Sequence, residues 1–186
     1  MPISGFFRTL GSSSPSPGGG SAAALAGAAG IALLEMVIRI NANRARKKYK
    51  ISSIERLRLK MERLITLDAE VFMKISKYFK KKGGKKNLQR ALKEGAGVPL
   101  EICEVSVQAL QIGILQKNRT SRWLSSDLAE AGVLLEAAFK SAQFNVDVNL
   151  RNITDKNFVS KVSTRLGLLE KKVSKHRNQL LGILPR

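Results

Sequence analysis

One acidic residue interrupts an otherwise apolar helical face in the first half of the chain. The face repeats at spacings of three and four residues and consists of Ile54, Leu57, Met61, Leu64, Asp68, Val71, Ile75 and Tyr78. A carboxylate at Asp68 must be paired, protonated or directed into a polar cavity, because an isolated buried charge is strongly unfavourable. Such a group can transfer protons and stabilise a cation. The periodicity therefore favours Asp68 as a catalytic residue.

A second candidate site lies at the start of the first long helix. The segment Ser14–Ser21 reads Ser-Pro-Ser-Pro-Gly-Gly-Gly-Ser. Its prolines fix φ while Gly18, Gly19 and Gly20 remain free, so the chain can turn sharply into a helix with Ser21 as the expected N-cap. The unpaired amides at a helix start favour carboxylates, phosphates or polarised carbonyls. The stretch predicts either a ligand site or a loop that leads into a tightly packed helix.

Two amides prolong the apolar face of a later helix. Asn145 and Asn149 follow a run of Leu and Ala residues on that face. They could orient a heteroaromatic ligand through donor and acceptor groups, or cap neighbouring helices and bridge to water. Asp127, near the start of the same helix, is explained by the helix dipole.

The single histidine and single cysteine argue against metal and nucleophilic sites. His176 lies on an apolar face without an acid or cysteine at metal-ligand spacing, so we expect a core or interface histidine. Cys103 excludes an internal disulfide, fits a reducing compartment and is expected to be a buried structural thiol.

These residues lie in a chain whose pattern is almost wholly helical. The periodicity predicts helices at about residues 21–46, 51–81, 87–97, 99–117, 122–149 and 156–183. A length of 186 residues with 44% hydrophobic residues is enough for one domain. We expect an all-α bundle of about six helices that dimerises, with residues 1–12 as an N-terminal extension and residues 13–186 as a single helical domain.

The net charge of +19 raises the question of a polyanionic partner. Two basic clusters, residues 44–50 and 80–86, lie at predicted helix ends, where cations suit the dipole. Helix-turn-helix and zinc-finger patterns are missing, so we expect no specific nucleic-acid partner. The apolar run at residues 22–34 is too short for a bilayer, and the N-terminus does not resemble a secretory signal. The expected location is cytoplasmic.

Several motifs occur in order along most of the chain. They are Ser14–Ser21 with Ala23, Leu25, Ala26 and Gly27, Met36-Val37, Lys47-Lys48-Tyr49, Asp68-Ala69-Glu70-Val71-Phe72, Val98-Pro99-Leu100, Asn118, Ser126-Asp127, Leu134-Leu135-Glu136-Ala137-Ala138, Asn145-Val146 and Asn149-Leu150. In these motifs the chain resembles the cyclodeaminase/cyclohydrolase family, which includes the C-terminal domain of formiminotransferase-cyclodeaminase and the methenyltetrahydrofolate cyclohydrolases.

The resemblance implies an up-and-down helical assembly that binds a tetrahydrofolate derivative, needs no cofactor or metal and usually works as a homodimer. Its reaction would be cyclisation of 5-formiminotetrahydrofolate with loss of ammonia, or hydrolysis of 5,10-methenyltetrahydrofolate to 10-formyltetrahydrofolate. Asp68 would be catalytic. The residues implied for substrate binding are Pro17, Gly18, Gly19, Gly20 and Ser21 for the pterin or one-carbon unit, Lys47 and Lys48 for a glutamate or polyglutamate tail, and Asn118, Asp127, Asn145 and Asn149 for other polar edges.

Three positions depart from the usual pattern of that family. Thr66 stands where an additional acid is common, Lys117 where a glycine is common, and Arg44-Ala45-Arg46 replaces a neutral, Gly-containing segment. If the missing acid is essential, the protein binds folate without turnover. A non-catalytic folate-binding or scaffold protein is therefore one alternative. A basic nucleic-acid-binding protein is the other, and charge alone supports it.

Overall fold

The computed structural model describes residues 2–44, 51–80 and 84–184. These residues form six α-helices and one short 3₁₀ helix, with no β-strand among them. The α-helices are α1 Ile3–Leu10, α2 Gly19–Arg44, α3 Ser52–Lys80, α4 Lys85–Gln116, α5 Ser125–Leu150 and α6 Lys156–Leu181, and the 3₁₀ helix is Arg122–Leu124. The prediction of an all-α fold is confirmed.

Helices α2 to α5 form an up-and-down bundle. Helix α2 packs against α3 and α5, while α4 packs against α3, α5 and α6. Small residues let α2 approach its neighbours closely. A Cβ added at Gly30 would lie 3.1 Å from the Cβ of Leu134, and one added at Gly27 would lie 2.7 Å from Met61 Cε. Gly27 and Gly30 of α2 therefore serve tight helix packing.

The structure differs from the sequence-based helix prediction in three places. Residues 87–97 and 99–117 belong to one continuous helix, α4, which contains Pro99. Helix α2 begins at Gly19, so Ser21 is not its N-cap but a fully buried residue of its first turn. Helix α1 is not among the predicted helices and lies within the segment predicted as an N-terminal extension. It has no buried residues, and its apolar Ile3 and Phe7 are exposed.

Two helices of the described chain are long and apolar enough to cross a membrane by length and composition alone. They are α2 and α4. The most apolar window of each is mostly buried inside the fold, 61% for α2 and 56% for α4. Core helices of globular proteins pass the same test, so this is weak evidence for a membrane span.

Candidate functional site

A cleft of about 290 Å³ opens where the N-terminus of α2 meets α3, α4 and the C-terminal half of α5. It is lined by Pro15, Gly18, Gly19, Gly20, Asp68, Val71, Phe72, Ile75, Gly95, Val98, Asn145, Val148 and Asn149. The lining combines apolar walls with a carboxylate, two amides and a glycine-rich backbone. Small-molecule sites have this character, with few polar groups that fix orientation inside an apolar slot.

Asp68 lies against the first turn of α2. The hydroxyl of Ser21 donates to Asp68 Oδ2 at 3.1 Å and to the carbonyl oxygen of Ile65 at 2.8 Å. Gly20 makes this approach possible, because a Cβ at that position would lie within 2.7 Å of both carboxylate oxygens and of Cγ. The Gly-Gly-Ser sequence at the helix start therefore holds the carboxylate in place.

The environment of Asp68 raises the pKa of its carboxyl group. Burial is the largest cause, and hydrogen bonds from the hydroxyl and backbone amide of Ser21 oppose it without outweighing it. Among the described residues, no Lys or Arg forms an ion pair with Asp68. A partly desolvated carboxylate without a basic partner is suited to proton transfer and to stabilising a cation.

Glu35 shows how a structural buried acid is arranged in this protein. It is 6% exposed and accepts hydrogen bonds from Arg39 and Arg58. Although burial raises its pKa, the bonds from Arg58 and Arg39 outweigh burial, and the pKa is lowered. Asp68 lacks such partners and shifts in the opposite direction. This contrast favours a functional over a structural role for Asp68.

The two asparagines line the cleft from α5, whereas Asp68 lines it from α3. Asn145 Nδ2 donates to the carbonyl oxygen of Ser141 at 3.1 Å, and Asn149 Nδ2 donates to the carbonyl oxygen of Gly95 at 2.8 Å. Asn149 thus bonds to a neighbouring helix, whereas Asn145 bonds within its own helix, and ligand orientation by either amide stays a prediction. Each amide bonds to a helix carbonyl and also lines the cleft.

The structure brings together the central part of the predicted site. Gly18, Gly19, Gly20, Asp68, Asn145 and Asn149 all line the cleft. Ser21 lies beneath Asp68, where its hydroxyl is used by protein acceptors, so it supports the carboxylate instead of facing a ligand. Pro15 lines the cleft in place of the predicted Pro17.

The remaining predicted residues do not line this cleft. Asp127 is 18 residues before Asn145 on α5, about 27 Å along the helix. Asn118 follows the C-terminus of α4, at the same far end of the bundle. Lys47 and Lys48 lie outside the described residues.

Thr66 is exposed on α3 and points away from the cleft. It lies two residues before Asp68, which places the two side chains about 200° apart around the helix. An acid at position 66 would therefore not share this cleft with Asp68 within one chain. Thr66 itself is not a lining residue of the cleft.

Several residues of the cleft wall were not among the predicted site residues. Val71 and Ile75 were recognised as apolar but not as cleft walls, and Gly95 was not singled out. The sequence does contain a signal for Gly95, which stands four residues before Pro99. A proline inside a helix removes the hydrogen bond to the carbonyl oxygen four residues earlier.

His176 and Cys103 lie outside the cleft. Both ring nitrogens of His176 are buried without a hydrogen-bond partner in the described structure. Cys103 is buried, its Sγ donates to the carbonyl oxygen of Phe139 at 3.5 Å, and burial raises its pKa to about 12. The prediction of a buried structural thiol is confirmed.

Within the described residues, no group of three or more His, Cys, Asp or Glu is placed to hold a metal ion.

Comparison with known proteins gives one family. Residues 2–167 match the family model of formiminotransferase-cyclodeaminase, and every cleft residue falls within that match. The chain belongs to this family.

Two relatives of this cyclodeaminase-family chain are informative. Formimidoyltransferase-cyclodeaminase of Sus scrofa is 33% identical over 90% of the chain, and the chain spans about a third of that protein, 34% of its length. The crystal structure of formiminotetrahydrofolate cyclodeaminase from Thermotoga maritima matches with a TM-score of 0.89 and 29% identity. That match covers 99% of this chain and 96% of the Thermotoga chain. The resemblance read from the sequence motifs is confirmed.

Proposed function

We propose that this protein is a folate one-carbon enzyme that cyclises 5-formiminotetrahydrofolate to 5,10-methenyltetrahydrofolate with release of ammonia. One observation carries the proposal. Asp68 faces a cleft with apolar walls at the start of α2. The pKa of its carboxyl group is raised, and the group has no basic partner among the described residues. The names of the two relatives support this reaction over hydrolysis of the methenyl compound.

The reaction needs what Asp68 can supply. In the amidinium form of the substrate, N10 attacks the formimino carbon and a new carbon–nitrogen bond forms. Asp68 accepts the proton that N10 loses and delivers it to the former imino nitrogen, which leaves as ammonia. The substrate and the methenyl product each carry one positive charge, so the charge is balanced. The ionised carboxylate also stabilises the cation beside it.

The cyclodeaminase activity can be measured directly. The protein is expected to convert 5-formiminotetrahydrofolate to the methenyl compound, detected by its absorbance, with ammonia released in equal amount. A matched reaction starts from 5,10-methenyltetrahydrofolate. If the absorbance of that compound decays faster with protein while the formimino compound is untouched, the protein is a cyclohydrolase and not a cyclodeaminase.

The same preparation distinguishes the non-enzymatic alternatives. Reduced folates are expected to raise the melting temperature at moderate salt, because pterin binding depends mainly on apolar contacts and hydrogen bonds. Stabilisation by RNA or DNA is expected to vanish as salt is added. Folate stabilisation without turnover would favour the non-catalytic folate-binding protein. The cytoplasmic location stays a prediction.

We also propose that the protein is a homodimer that associates through the outer face of α2 and α5. This face carries at least partly exposed apolar residues, namely Ala22, Ala26, Ala29, Leu33, Met36, Val133, Ala137, Phe144 and Val148. Residues 19–38 contain no Lys or Arg, and α5 contains one, whereas the whole chain has 33. This scarcity of cations lowers the repulsion of a second copy with charge +19 at this face.

A charge placed on this face tests the dimer. Ala29→Arg puts a cation from each copy into the interface, so the dissociation constant is expected to rise by about a hundredfold or more, because buried like charges cost several kcal/mol. Ser163→Arg adds the same charge to an exposed position on α6 and is the matched control. Sedimentation analysis measures both variants. A dimer that both leave equally intact would place the interface elsewhere.

A further inference from the structure

One feature of α4 has no role in the proton-transfer chemistry. Pro99 stands in the interior of this helix, whereas a proline at such a position usually kinks or ends a helix. Pro99 has no amide hydrogen, so the carbonyl oxygen of Gly95 loses its usual α-helical donor. Asn149 of α5 takes that place, with Nδ2 donating to Gly95 O at 2.8 Å across a separation of 54 residues.

This hydrogen bond fixes which way the Asn149 amide points. The reversed amide would bring its oxygen against the Gly95 carbonyl oxygen, two acceptors at hydrogen-bond distance, which is repulsive. Asn149 lines the cleft, and its Oδ1 has no hydrogen-bond partner in the described part of the chain. The amide therefore offers its oxygen to a ligand.

The neighbouring polar groups present the same chemistry. Asn145 Nδ2 is engaged with the carbonyl oxygen of Ser141, which leaves the Asn145 Oδ1 as an acceptor on the same wall. Asp68 adds carboxylate oxygens on the α3 side. The polar side chains of the cleft thus present acceptors between the apolar side chains of Val71, Ile75 and Val98. A flat ligand with a row of N–H donors along one edge fits this arrangement.

We propose that Asn149 determines specificity by accepting a hydrogen bond from the 2-amino edge of the pterin ring, and that Pro99 is the positioning residue that orients it. The assignment rests on the proposed folate function. It also explains why a core helix contains a proline. Pro99 leaves the carbonyl oxygen of Gly95 without a backbone donor, and Asn149 is anchored to that oxygen.

The test compares tetrahydrofolate with its 2-desamino-2-methyl analogue, in which a methyl group of similar size replaces the amino donor. Dissociation constants are measured by calorimetry on the full chain. The wild-type protein is expected to bind tetrahydrofolate about tenfold or more tightly than the analogue, because the analogue leaves an acceptor unpaired. Asn149→Ala is expected to bind the two ligands within about threefold of each other, since the acceptor is gone.

Pro99→Ala tests the positioning role separately. The backbone amide that alanine introduces at this position donates to Gly95 O and competes with Asn149, so discrimination is expected to fall between that of the wild type and that of Asn149→Ala. The melting temperature is expected to stay level or rise, because a proline leaves the helix interior. A loss of discrimination without a loss of stability is a result that a purely structural proline would not give.

Asn152→Ala is the matched control. Asn152 Nδ2 donates to the carbonyl oxygen of Val148, one turn back on α5, but Asn152 does not line the cleft. This variant is expected to discriminate as the wild type does. Retained discrimination in Asn149→Ala would overturn the specificity role. If Asn149→Ala loses discrimination between the two ligands and Pro99→Ala keeps it, the positioning role of Pro99 is overturned. A wild-type protein that binds neither ligand would instead refute the proposed folate function.

Discussion

Asp68→Asn is expected to lower turnover of the folate substrate by about a hundredfold or more while the protein stays folded. Asparagine keeps the shape of the side chain and an oxygen for the Ser21 hydroxyl, which donates at 3.1 Å in the native protein. It cannot accept a proton from N10 or balance the cation. Acid–base catalysis of this kind typically contributes about 10²–10⁴ in rate.

The stability of the same variant distinguishes the two roles of a buried acid. Burial raises the pKa of Asp68 above its ordinary value. The stability linked to this group is therefore fully present below the unfolded-state pKa and is lost as the pH rises through the folded-state pKa. At neutral pH the ionised carboxylate lowers stability, so Asp68→Asn is expected to melt at the same temperature or higher.

Glu70→Gln is the matched control for Asp68→Asn, because it removes one negative charge from an exposed position on the same helix. It is expected to leave turnover and melting temperature nearly unchanged. The native kcat/KM is expected to fall on the acid side at a pH above the ordinary Asp pKa, because the ionised carboxylate is the active form. An Asp68→Asn protein that melts lower but turns over at the native rate would show a structural role.

The place of Asp68 at a polar cavity could be predicted from the sequence because the evidence for it is local. A polar residue in an apolar stripe of period 3.6 is visible within one helix, and three residues of that stripe, Asp68, Val71 and Ile75, line the cleft. Contacts between distant segments leave no such signal. The hydrogen bond from Ser21 to Asp68 joins residues 47 positions apart, so Ser21 was interpreted as a helix cap from its neighbours alone.

Helix α4 shows the same limit. Local propensity places a break at Pro99, and the structure overrides it, because Asn149 supplies the hydrogen bond that Gly95 O would otherwise lack. Family motifs have a different limitation. They identify residues shared with the family but do not show where those residues lie in the fold. Asn118 and Asp127 came from the resemblance, and only the lengths of α4 and α5 show that they lie at the far end of the bundle.

Gly20→Ala is expected to lower turnover about a hundredfold through a single added methyl group. The new Cβ would lie within 2.7 Å of both carboxylate oxygens of Asp68, closer than van der Waals contact allows. The carboxylate must move, because Gly20 lies in the first turn of α2 and α2 is held by close packing along its length. A displacement of about 1 Å in a reacting group can reduce the rate by about 10²-fold.

Gly97→Ala is the control for this substitution, since a Cβ there meets nothing within 4 Å and the position is also helical. It is expected to keep full activity and to stabilise the protein by about 0.5–1 kcal/mol, because alanine is favoured over glycine in helices. Steady-state kinetics and thermal melts on both variants make the comparison. Because Gly20→Ala leaves the carboxylate chemically intact, a loss of kcat in the folded variant would show that its position, and not merely its presence, is required. Native kcat in that variant would mean that Asp68 tolerates displacement and is not the proton-transfer group.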